Sequence, residues 1–150
     1  MYNFDKFSQE GRTFINQLAT NLGHPDDDVT TARVLKAVLH VFRDSIKMSE
    51  AFDFMAQLPM FLKAIFVDQW KYREEPQELR SLEAFVQEVE AYQSRMGERD
   101  FGWPESTEQI VKTTFLTLKE EYLTEGEAKD ILSQMTREVQ ELFDLHQPQH

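Results

Sequence analysis

The chain has 150 residues, 41% hydrophobic and 29% charged, with twelve Phe and no Cys. That size and mixture argue against a disordered chain and describe one domain able to bury its own core without metals or disulfides. A formal net charge of −11 disfavours binding nucleic acid by phosphate neutralisation, and the lack of Cys removes thiolate chemistry.

The first residues, MYNFDKFSQEGR, show no basic region followed by an apolar run, so no signal peptide is expected. Phe14, Ile15, Leu18 and Leu22 recur at helical intervals, and Gly23 ends the segment. Pro25 with Asp26, Asp27 and Asp28 reads as the first turn of a second helix, with proline at its first position and acids at the positive end of its dipole. Val34, Leu35, Val38, Leu39, Phe42 and Ile46 form its apolar stripe. Ser49 reads as the cap of a third helix running to about Leu58. Pro59 breaks it and starts a fourth, through Trp70 or a little beyond.

Residues 73–81 read as a polar connector, and Ser81 caps a fifth helix carrying Leu82, Phe85, Val86 and Val89. A loop with two glycines and Pro104 follows over 95–105, then a helix with Ile110, Val111, Phe115, Leu118 and Tyr122. Thr124 to Glu127 is a capping-box pattern for the next helix, Thr136 starts the last one, and the tail after Leu145 is expected to fray. No strand-like alternation competes with the helical spacing. The prediction is an all-α compact bundle of about eight helices in one domain, residues 1–150.

The chain also aligns with itself. Residues 30–44 lie over 106–120, pairing Val34 with Ile110, Leu35 with Val111, Leu39 with Phe115 and Phe42 with Leu118. Residues 46–66 lie over 123–143 with one insertion, and Glu50, Ala51, Asp53, Gln57 and Phe66 recur as Glu127, Ala128, Asp130, Gln134 and Phe143. Phe14, Ile15 and Leu18 lie over Phe85, Val86 and Val89. Two pseudo-equivalent four-helix repeats are therefore expected, at about 14–70 and 83–145.

The run Ala37-Val38-Leu39, Phe42, Ile46, Glu50-Ala51, Asp53-Phe54 and Gln57-Leu58-Pro59 resembles the bacterial family called "domain of unknown function 2267". The resemblance covers roughly residues 4–145, and the second copy departs from it by reading Gln134-Met135-Thr136 without the proline. It implies an all-helical duplicated domain in a bacterium. It supplies no activity and no catalytic residues.

The two copies differ in their closing hairpins. Lys129, Ser133, Arg137, Glu138, Glu141 and Asp144 occupy the outer positions of the second. The first has Phe52, Ala56, Met60, Phe61, Ala64 and Val67 there, while core positions match: Phe54 with Ile131, Leu62 with Val139 and Ile65 with Leu142. Fully burying each large apolar side chain is worth about 1.5–3 kcal/mol, so this second apolar face is expected to be covered. The other repeat, a second copy of the chain in a homodimer, and an unidentified protein partner or apolar ligand are the three covers. Residues 1–75 carry 11 acids and 9 bases, whereas residues 76–150 carry 16 acids and 7 bases; the first half is thus the less solvated one. The apolar run holds charges and Pro59 and is too short for a span, so no membrane contact is expected.

Chemistry-bearing residues are sparse. His40 and Asp44, spaced i, i+4, could orient an imidazole for proton transfer or a metal, but read more simply as a surface pair. His24 reads as a helix-entry residue. An EF-hand starting at Asp26 fails, because its sixth and twelfth positions hold Thr31 and Ala37. Glu50 with Asp53 and Glu127 with Asp130 are acid pairs which, if turned toward one cleft between the repeats, would suit a divalent cation or a basic partner, but read more simply as acids in the first turns of two equivalent helices. Phe101 and Trp103 either clamp a ligand or tether their loop. The resulting expectation is a cytoplasmic protein, without cofactor, that acts through helix-face contacts and not catalysis. The alternative is a metal- or small-molecule-binding protein, or an enzyme, with an acidic site between the repeats.

Overall fold

The computed structural model describes residues 2–79, 81–123 and Arg137. These residues form six helices and no strand: α1 (Phe4–Asn21), α2 (Asp28–Asp44), α3 (Met48–Ala56), α4 (Met60–Val67), α5 (Leu82–Arg95) and α6 (Thr107–Tyr122). The described chain is all-helical, as expected from its periodicity. The capping box at Thr124–Glu127, the helix start at Thr136 and the tail lie outside the described residues.

Four helices start at side chains that accept a free backbone N–H. Asn3 accepts from Lys6 before α1, Asp27 from Thr30 before α2, Ser81 from Ala84 before α5 and Ser106 from Gln109 before α6. The start of α2 differs from expectation. The Asp27 N–H donates to the His24 carbonyl at 3.0 Å, so Pro25 is the second residue of a tight turn, where its fixed φ is equally at home. The helix begins only at Asp28.

Other boundaries also move. The first helix begins at Phe4, ahead of the apolar stripe at Phe14, because Asn3 caps it. The third begins at Met48, before Ser49, and the Glu50 carboxylate accepts from the Lys47 N–H at 3.2 Å. The fourth stops at Val67, short of Trp70: Asp68 is extended and Gln69 takes a positive φ of 59°.

The second helix is central and packs against α1, α4, α5 and α6. It buries ten residues, including Val34, Leu35, Val38, Leu39 and Phe42. Phe42 meets Phe54 of α3 at 4.8 Å and Phe115 of α6 at 5.7 Å, and Phe85 of α5 meets Phe115 at 5.4 Å. These tilted and edge-on rings knit α2, α3, α5 and α6 into one core. The short hairpin α3–α4 lies against α1 and α2, closing the core on that side.

Candidate functional site

The α3–α4 hairpin has an inner and an outer side. Ala51, Phe54, Leu58, Leu62 and Phe66 are buried, as the helical spacing requires of core positions. On the outer side Phe52 is 52% exposed, Met60 40% and Val67 42%; Ala56 and Ala64 are exposed between them. Phe52 leans on Trp70, ring centres 5.1 Å apart.

Phe61 behaves differently from the other five. It is half-buried, 5.7 Å from the Phe14 ring of α1 and 6.4 Å from Tyr122 at the end of α6. A Cβ placed on Gly11 would make ordinary van der Waals contact with that ring at 3.6 Å, so α1 passes directly over Phe61. Neighbours within the chain therefore cover Phe61, while Phe52, Ala56, Met60, Ala64 and Val67 remain an open apolar strip.

Behind the strip lies a set of polar groups that the sequence did not reveal as a set. His40 is 1% exposed and Arg43 4%. His40 Nε2 donates to the Ile65 carbonyl at 2.7 Å, which leaves Nδ1 to accept from the Tyr92 hydroxyl at 2.9 Å. Arg43 Nη1 donates to the carbonyls of Phe66 at 2.8 Å and Asp68 at 2.9 Å. Its Nε bonds Asp44, and its guanidinium lies 5.7 Å from the centre of the Trp70 ring. Two side chains of α2 thus bond carbonyls at the end of α4, where the Ile65 carbonyl also accepts from the Asp68 N–H at 3.3 Å.

This overturns the expected surface pair of His40 with Asp44. Asp44 pairs with Arg43 and Arg73 instead, and His40 is a core residue. Burial lowers its pKa below the ordinary value, the Ile65 bond opposes the shift, and the nearby charges of Arg43 and Lys36 reinforce it. Burial, with Glu98 nearby, pushes the Tyr92 hydroxyl up to about 12. The imidazole is neutral and fully engaged at neutral pH, which suits positioning. A signal was present in the sequence: VLKAVLHVF is apolar almost all round, the pattern of an enclosed helix.

The other candidates serve the loop between α5 and α6. His24 Nε2 lies 2.6 Å from Glu105 Oε1, and its ring stacks on Trp103 at 4.2 Å. The Trp103 indole donates to Asp27 at 3.1 Å. Arg33 bonds Glu98 and the Arg99 carbonyl, with its guanidinium 5.6 Å from the centre of the Phe101 ring. Phe101 and Trp103 therefore hold this loop against the α1–α2 turn. The Thr30 N–H first, then the Thr30 hydroxyl and the indole, holds the Asp27 carboxyl below its ordinary value.

Glu50 is half-buried and engaged in its helix cap, and Asp53 is exposed. Among the described residues neither belongs to a group of three or more His, Cys, Asp or Glu able to hold a metal. Glu127 and Asp130 lie outside the described residues. An open cleft of about 530 Å³ runs between Lys6, Glu10 and Gln17 of α1 and Tyr122 of α6; neither Glu50 nor Asp53 lines it. No helix among the described residues is long and apolar enough to cross a membrane.

A family model described as "Uncharacterized conserved protein (DUF2267)" matches residues 11–142. The chain belongs to this family. The match begins within α1 and takes in α2 through α6, so the DUF2267 region includes the hairpin and both polar residues behind it. None of the curated proteins matches this DUF2267 chain.

Proposed function

We propose that this DUF2267 protein works in the cytoplasm by protein contact and not by catalysis, with the outer side of the α3–α4 hairpin as the contact surface. The observation that carries the reading is the open strip of Phe52, Ala56, Met60, Ala64 and Val67 on a hairpin fastened from behind by His40 and Arg43. Adjacent apolar side chains on a firmly held element cost little ordering entropy when a partner covers them.

A duplicated architecture supports the same reading. At a spacing of 76 residues the buried positions of α2 and α6 coincide: Val34 with Ile110, Leu35 with Val111, Val38 with Thr114, Leu39 with Phe115 and Phe42 with Leu118. At a spacing of 71, Phe14 and Leu18 coincide with Phe85 and Val89. The packing is reciprocal as well, α1 on α6 and α5 on α2. Arg137, the counterpart of Met60, is helical and exposed. A charged residue at that position is at home in water, whereas Met60 gains from being covered.

Photo-crosslinking inside cells tests this reading. A photoreactive residue at position 60 should give a covalent protein adduct that vanishes when Phe52→Glu is added. The same group at exposed Gln9 of α1 should give none. A folded chain without any adduct from position 60 would reject the contact surface.

A further inference from the structure

We propose that the occupant of the α3–α4 surface is a second copy of this chain, placed by a two-fold axis that lies in the plane of the contact and runs along the hairpin. This inference rests on the contact reading above and adds the identity of the partner. Charge is the first reason. The chain carries −11 overall, yet residues 45–71 hold three acids, Glu50, Asp53 and Asp68, against three bases, Lys47, Lys63 and Lys71. Two copies of a strongly acidic protein repel each other least where the local charge cancels.

The second reason is how those charges are divided. Asp53 is exposed beside Phe52 and Ala56 on α3. Lys63 is half-buried and, by helical spacing, adjoins Met60 and Val67 on α4. One helix of the hairpin thus brings an acid to the strip and the other brings a base. A two-fold axis in the plane of the strip, parallel to the two helices, lays α3 of one copy over α4 of the other, so Asp53 faces Lys63 of the second copy, and the pair occurs twice. In the same arrangement the small Ala56 and Ala64 leave room for the large side chains beside them. A self-complementary surface needs no foreign partner to supply its charges.

The patch is small, because helices of nine and eight residues are only about 12–14 Å long. Association is therefore expected to depend on concentration, at the low end of specific interfaces. Sedimentation of the full-length protein from about 10 µM to about 1 mM spans the relevant range. The wild type is expected to pass from monomer to dimer over that range. Asp53→Lys and Lys63→Asp each create two like-charged contacts and should weaken dimerisation at least about tenfold. An equimolar mixture of the two variants should recover a heterodimer, because each then supplies the charge that the other lacks. Circular dichroism checks that both variants are folded.

A wild type that stays monomeric at every concentration overturns the second copy as occupant, and a crosslink from position 60 to a different protein would still uphold the contact surface. A dimer that persists in Phe52→Glu overturns the proposed placement. Monomeric single variants whose mixture stays monomeric overturn the two-fold register.

Discussion

The two sides of α4 invert the usual arrangement. Toward the core, its last carbonyls meet a buried imidazole and a buried guanidinium. Toward solvent it shows Met60, Ala64 and Val67. Apolar contact alone positions a helix loosely, whereas hydrogen bonds from His40 and Arg43 fix its end in direction and register. The inner side therefore specifies where the hairpin sits, and the outer side is left free to be apolar.

The hardest way to break this contrast is to remove the inner side. Arg43→Ala leaves two carbonyls near the end of α4 without their buried donor and should cost about 3 kcal/mol in urea denaturation. His40→Leu removes the buried imidazole bonded to the Ile65 carbonyl and the Tyr92 hydroxyl and should cost about 2 kcal/mol at pH 8.

The His40 variant also tests the sign of a pH effect. The folded pKa of His40 is lowered, so the unfolded chain takes up the proton first, near its ordinary value of about 6.5. The stability that His40 contributes is complete above that pH and is lost as pH falls toward and through the folded pKa. The difference in unfolding free energy between wild type and His40→Leu should therefore be constant from pH 7 to 8 and shrink in acid. A difference that grows in acid would contradict a buried neutral imidazole.

Trp103→Phe is milder. It removes the bond to Asp27 and part of the stack on His24, and should cost about 1 kcal/mol without altering association. The smallest effect on stability belongs to the outer side. Phe52 is 52% exposed, so Phe52→Glu should stay within about 0.5 kcal/mol of wild type in stability while abolishing association.

Much of the fold was legible because solvated helices advertise their ends. Ser81 marked the start of α5, and the stripe from Ile110 to Tyr122 marked α6. The apolar stripe hid the start of α1, because its first turns face water and begin at the Asn3 cap. Pro25 was misleading because proline serves a tight turn as readily as a helix start. The strip itself was legible from comparing residues 52–67 with residues 129–144 in the sequence, except that spacing alone cannot separate Phe61 from its neighbours; the approach of α1, with Phe14 and Gly11 against its ring, does that. His40 and Arg43 were missed for a related reason. Their carbonyl partners lie at least 23 residues away in sequence, and no side-chain pattern announces a carbonyl.

The contact surface can be tested most directly against a control built into the chain. Met60 and Met96 are almost equally exposed, at 40% and 39%, but only Met60 lies on the open strip. Oxidative footprinting should label the two alike in dilute purified protein. Inside cells, at native concentration, Met60 should be protected while Met96 stays reactive. Equal labelling of both in cells would contradict the account.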